Sequence, residues 1–209
     1  KKEINSATKK ITLRYGLIDM NRTITGYLKG NYNDSADKFE TINGDSISTW
    51  NNFNWNSKHY CTSIFIPSEF ETKIKSDVKN SIITDSKIHT ITHVLVNASK
   101  ILTKSESNDI DAYYENGIIH LFDNTSDGYN GCSKMIYENF EEIMKTCFDL
   151  INECDCPVDP KQKKAVSEGE EWGGCPKCTF TTNYCQTKNK KLSKNEALEF
   201  FSIFKREIK

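Results

Sequence analysis

The sequence predicts a mixed α+β chain, β-rich in its N-terminal part, mainly helical behind, and closed by a cysteine knuckle. Three observations carry that prediction. Apolar and polar residues alternate over 11–17, apolar residues recur every three or four positions from about Asp85, and five of the eight cysteines fall within Cys154 to Cys185.

Ile11, Leu13, Tyr15 and Leu17 alternate with Thr12, Arg14 and Gly16, the period of a half-buried strand. Thr23 to Leu28 repeats the pattern after a polar stretch, Asp19-Met20-Asn21-Arg22, that reads as a turn. Residues 29–58 are rich in Asn, Asp, Ser and Gly and read as an irregular connection with a short strand near Ile47. Tyr60 to Ile66 is a further strand closed by Pro67. Ser68 with Glu71 has capping-box spacing.

The clearer helix starts near Asp85, where Ile88, Ile91, Leu95, Ala98 and Leu102 mark one core-facing side. Gly117 opens the strand Ile118 to Phe122, which ends in the turn Asp123 to Gly128. One long helix follows, carrying Met135, Ile136, Phe140, Ile143, Met144, Cys147 and Ile151 up to the first clustered cysteine. A last helix, from about residue 193, has Ala197, Leu198, Phe201 and Phe204 on one side. The expected domains are a β-rich segment, 1–66, and a helical domain, 67–209, with the knuckle over 154–185.

The chain has 209 residues, 36% of them hydrophobic and 11% aromatic, which excludes wholesale disorder despite a mean hydropathy of −0.63. No apolar run approaches the roughly 20 residues that span a bilayer, and the opening Lys1-Lys2-Glu3 has neither an initiator Met nor a signal core. The expectation is an intracellular piece of a longer protein, cytoplasmic or nucleoid-associated, with no membrane partner.

Gly173-Gly174-Cys175-Pro176-Lys177-Cys178 is a C-x2-C knuckle in which glycines let the backbone turn two thiolates toward one centre. Cys185 follows, and Cys154-Asp155-Cys156 lies upstream, one sulfur more than tetrahedral zinc takes. The expected ligands are Cys156, Cys175, Cys178 and Cys185, with Cys154 as the alternative to Cys156. Four thiolates leave no open coordination position, so one zinc per chain would be structural. An even cysteine count also allows a secreted disulfide framework, in which Asn97-Ala98-Ser99 would be a glycosylation candidate. The Asp, Gly, Pro, Lys and Thr around the cluster favour the metal, because they supply so little apolar cover.

Net charge is −1, but it is unevenly spread. Trp172 to Lys209 holds eight basic and three acidic residues, net +5, while Ser105 to Gly128 holds six acidic and no Lys or Arg, net −6. Lys188, Lys190, Lys191 and Lys194 are the candidates for phosphate contacts in nucleic acid. His89 and His93 have i, i+4 spacing, but no Glu follows the first, so they read as helix-facing core rather than a second metal site. Asp109, Asp111, Asp123 and Asp127 read as turn residues. The sequence contains no G-x-x-x-x-G-K-[ST], G-x-G-x-x-G or G-x-S-x-G motif, and this chain is expected not to be an enzyme by itself.

The order of His89-Thr-Ile-Thr-His93-Val-Leu-Val, Ile119-His-Leu-Phe-Asp123-Asn through Gly131, Cys154-Asp-Cys156, Gly174-Cys-Pro-Lys-Cys178 and Asn189-Lys-Lys-Leu-Ser-Lys194 resembles the C-terminal zinc-binding domain of the mitomycin-repair MrfA family of DEAD/DEAH-box helicases. The resemblance runs from about residue 85 to 209. It implies an accessory domain of an ATP-dependent helicase in DNA repair or processing, with single-stranded or forked DNA and the motor domains of the same polypeptide as partners. The alternative is a scaffold module that touches no nucleic acid. Family members place only a few residues between the C-x-C pair and the knuckle; here eighteen separate Cys156 from Cys175.

Overall fold

A computed structural model describes residues 2–5, 10–24, 27–28, 30–33, 38–41, 47–48, 53–67, 86–125, 127–157, 161, 163, 172–181 and 192–205. The chain divides into two compact units, Lys1–Leu17 with His59–Lys209, and Ile18–Lys58. Strands of the first third belong to the same sheet as those of the helical part.

Nine strands are described: β1 (Lys2–Asn5), β2 (Lys10–Ile24), β3 (Tyr27–Leu28), β4 (Gly30–Asn33), β5 (Lys38–Thr41), β6 (Ile47–Ser48), β7 (Phe53–Phe65), β8 (Ile110–Glu115) and β9 (Ile118–Asp123). The helices among the described residues are α1 (Ser86–Thr103), α2 (Cys132–Glu138), α3 (Phe140–Asn152) and α4 (Lys194–Lys205). The main sheet has the order β1-β2-β7-β9-β8. β7 and β8 both run antiparallel to β9, with Cys61 opposite Phe122 and Ala112 opposite Leu121. In the smaller unit β3 pairs with β6 and β4 with β5.

Three expectations change. β2 continues through Asp19-Met20-Asn21-Arg22, where no Gly or Pro forces the chain to turn. The irregular connection contains the β4–β5 hairpin as well as the short strand at Ile47. The long helix is two helices: Asn139, at φ −113° and ψ 28°, leaves helical geometry, and its N–H and its side-chain amide both donate to the Met135 carbonyl. Asn competes well for backbone acceptors, which is why it ends helices. The capping-box pair Ser68 and Glu71 lies outside the described residues.

α1 is buried from Ile88 to Val96 without a break, packing against β8, α2, α3 and α4. Its threonines tolerate this because Thr90 and Thr92 donate to the carbonyls of Ser86 and Ile88, at 2.6 and 2.8 Å. Phe140, Phe200, Phe201 and Phe204 are fully buried beside Ile91, Leu95 and Ile143. Each such side chain contributes about 1.5–3 kcal/mol relative to exposure.

The turn before α2 is pinned by Asp123. Its buried carboxylate accepts from the backbone N–H of Ser133 at 2.6 Å, Asn130 at 3.0 Å and Gly131 at 3.1 Å. That fixes the start of the helical pair whose far end delivers the cysteines.

Candidate metal centre

α3 ends at Asn152, and the chain leaving it presents Cys154 and Cys156 within four residues. The knuckle supplies the other two sulfurs. Gly174 sits at φ +103°, where a Cβ would collide with the Thr179 side chain, so the turn requires glycine. The Cys175 carbonyl then accepts from the N–H groups of Cys178, Thr179 and Phe180 at 3.0–3.1 Å, and the Thr179 hydroxyl donates to the Gly173 carbonyl at 2.6 Å.

The result is a gathering of four sulfurs, Cys154, Cys156, Cys175 and Cys178, all within 4.8 Å of one another. Cys154 to Cys175 is 3.5 Å, Cys156 to Cys178 is 3.6 Å and Cys175 to Cys178 is 3.7 Å. A tetrahedron built on Zn–S bonds near 2.3 Å has edges of about 3.8 Å, so the donor set and its spacing fit zinc. Where the sequence made Cys154 and Cys156 alternatives, the structure brings both to the same centre. Cys185 lies outside the described residues, and four sulfurs are already assembled without it.

Donors surround the sulfurs. The Trp172 indole N–H and the Lys194 ammonium each lie 3.4 Å from Cys156 Sγ, and the Cys175 N–H donates to Cys178 Sγ at 3.4 Å. As free thiols the four are not alike. Burial acts to raise Cys156, but Trp172, Cys154, Cys178 and Lys194 outweigh it and bring it down to about 7. Burial pushes Cys178 up to about 12, with the nearby Cys156 adding to the rise. A cation binding here displaces those protons.

Two further elements clasp the knuckle. From α1, His93 Nδ1 lies 3.1 Å from the Thr179 carbonyl, which fixes Nδ1–H as the donor, and the Asn97 amide donates to the Phe180 carbonyl at 2.9 Å. From α4, the Lys194 N–H donates to the Trp172 carbonyl at 2.8 Å. His89 and His93 meet ring to ring, with centroids 4.4 Å apart. Among the described residues they belong to no group of three or more potential metal ligands; the four cysteines form the one such group.

Lys194, expected to face phosphates, is instead only 9% exposed and turned toward the cysteines. Lys188, Lys190 and Lys191 lie outside the described residues. The scattered Cys61, Cys132 and Cys147 are buried structural thiols, and burial pushes Cys61 up to about 12. All seven described cysteines are unpaired. No described helix is long and apolar enough to cross a membrane.

Residues 91–179 match the family model of the MrfA Zn-binding domain. This segment is similar to that family. The match takes in α1 from Ile91 onward, the β8–β9 hairpin, α2, α3 and all four gathered cysteines. A crystal structure of the DUF1998 helicase MrfA bound to DNA superposes with a TM-score of 0.58 at 18% identity, over 97% of this chain and 23% of that one. A second MrfA crystal structure gives a TM-score of 0.46 at 15% identity, over 95% of this chain and 22% of the other. The chain therefore spans about a quarter of the length of the helicase whose fold it shares. A search of curated proteins finds no match. The matched segment contains a four-cysteine cluster positioned to hold one metal ion.

Proposed function

We propose that this chain is the C-terminal accessory zinc-binding part of an ATP-dependent DNA helicase acting in repair or processing, and that it is not itself catalytic. Cys154, Cys156, Cys175 and Cys178 hold one zinc, which joins the end of α3 to the knuckle. The observation that carries this is the closed set of four sulfurs within 4.8 Å of one another, three of their pairs at 3.5–3.7 Å, which leaves no position for a water or substrate. The metal's contribution is structural. It is supported by the family match and by the shared fold of a DNA-bound helicase. Reduced thiolate ligands accord with an intracellular setting.

Contact with single-stranded or forked DNA would fall to Lys188, Lys190 and Lys191, as backbone contacts without base reading. Metal analysis of the purified chain should give one zinc per chain. Changing the three lysines to Ala should weaken DNA binding and reduce the salt slope by about three. Unchanged affinity and slope would leave the second reading, a module that only positions the motor domains. Two observations favour it: the inward turn of Lys194 and the acidic run Ser105 to Gly128.

A further inference from the structure

We propose that Lys194 is a positioning residue of the metal centre: its ammonium fastens the Cys154–Cys156 loop in ligand geometry and shields the Cys156 sulfur, so that metal retention and the docking of α4 depend on each other. The inference rests on the zinc reading above and concerns this chain's own groups around that ion.

Lys194 Nζ makes three contacts, to the Cys154 carbonyl at 2.7 Å, the Cys156 carbonyl at 3.1 Å and Cys156 Sγ at 3.4 Å. An ammonium carries three protons in tetrahedral array, so these acceptors use its full donor capacity. Burying a lysine that is 9% exposed costs several kcal/mol unless its charge is compensated, and no carboxylate forms an ion pair with Lys194 among the described residues. Thiolate provides that compensation. Four thiolates outweigh a divalent ion by two charges, and one buried ammonium returns half of the excess.

The position in the chain gives the contact its second consequence. Lys194 is the first residue of α4; its own N–H holds the Trp172 carbonyl, and the neighbouring Ser193 N–H donates to Thr90 Oγ1 at 2.7 Å. Trp172 in turn donates its indole N–H to the same Cys156 sulfur. One sulfur thus receives donors from both sides, a Trp before the knuckle and a Lys at the head of the last helix. A zinc-bound thiolate that also accepts N–H bonds is a poorer nucleophile, so this pair protects Cys156 from electrophiles while the metal is bound.

The test uses the zinc-loaded chain and three variants: Lys194→Met, which keeps length and loses the charge; Trp172→Phe, which keeps a ring and loses the donor; and Lys145→Met, a control at an exposed position of α3. Zinc affinity is read by chelator competition. The order of cysteine modification by N-ethylmaleimide is read by peptide mass mapping. Lys194→Met should weaken zinc binding about 10- to 100-fold, as loss of an outer-shell partner does, and make Cys156 the first cysteine alkylated. Trp172→Phe should advance Cys156 in that order as well, and Lys145→Met should match the parent chain. Should Lys194→Met fail to fold, Trp172→Phe decides. Parent-like affinity and alkylation order in the folded variants overturn the proposal and leave the zinc reading intact, whereas a parent chain that binds no zinc overturns both.

Discussion

The Lys194 ammonium lies 2.7 Å from the Cys154 carbonyl, joining the head of the last helix to the loop that carries the upstream pair of cysteines. A lysine in a Lys-rich segment is normally a solvated charge, and here it is a buried strut. The metal centre is accordingly held by three helices, through Lys194 of α4, His93 and Asn97 of α1, and the exit of α3.

Replacing any one of the gathered cysteines should remove the metal. Cys154→Ser and Cys156→Ser are each expected to bring zinc content toward zero and to lower the unfolding free energy by several kcal/mol, out of the roughly 10 kcal/mol that a structural zinc can supply. Cys185→Ser should retain one zinc. Plasma emission analysis beside thermal unfolding checks both, and zinc loss from the Cys185 variant would change the ligand set.

Gly174→Ala tests the turn. Positive φ and the approach of Thr179 together should cost about 1–3 kcal/mol. The measurement is a denaturant midpoint on the zinc-loaded chain, accompanied by faster metal transfer to a chelator; a midpoint equal to the parent's would show that the backbone relaxes there at no cost.

His93 predicts an acid-labile fold. Burial, with the nearby His89, lowers it to about 4, against the raising effect of its bond to the Thr179 carbonyl. An unfolded His takes its proton near 6.5, so between pH 6.5 and 4 the unfolded state binds more protons than the folded one. Stability is fully present above 6.5 and falls by about 3 kcal/mol as the pH drops to 4. His93→Gln keeps a donor for Thr179 and should be less pH-sensitive across that window. Acid also strips zinc from both proteins, so the quantity to measure is the difference between their unfolding midpoints at pH 7.5, 6 and 5. A constant difference would reject the assignment.

Asp123→Ala removes one carboxylate and strands three backbone amides, those of Asn130, Gly131 and Ser133. The expected loss is about 2–4 kcal/mol, since unsatisfied buried donors cost more than the bonds they made. Amide exchange should accelerate at those three positions before it does in α1.

Periodicity was a good guide where one environment acted on a whole segment. The helix from residue 86 and the apolar positions of α3 obey it because each packs a stripe into the same core. The signal was weaker for β8, whose acidic run Asp109, Asp111 and Glu115 hides a strand with only Ile110 fully buried. Its marker was Asn116-Gly117, two residues at φ 48° and 80° that make a tight hairpin turn. The break at Asn139 left the apolar spacing intact on both sides and so was invisible to it. At the centre, the C-x2-C spacing pointed to the metal because ligand geometry is local. The choice of upstream sulfur and the role of Lys194 depend on how α3 and α4 converge, which no spacing along the chain encodes.

The eighteen residues between Cys156 and Cys175 acquire a different meaning once both of their ends are ligands. A bound ion makes this stretch a closed ring, and the entropy of closing a ring grows only with the logarithm of its contour, about 0.6 kcal/mol for each doubling. The length of the ring is therefore nearly decoupled from the energetics of the rest of the chain, while Trp172 and Gly174 at its downstream end stay tied to the knuckle. The stretch is a natural port for inserted sequence: a peptide tag or fluorophore spliced there would be carried beside the knuckle at a fixed anchor point, and related chains can lengthen it without redesigning the centre.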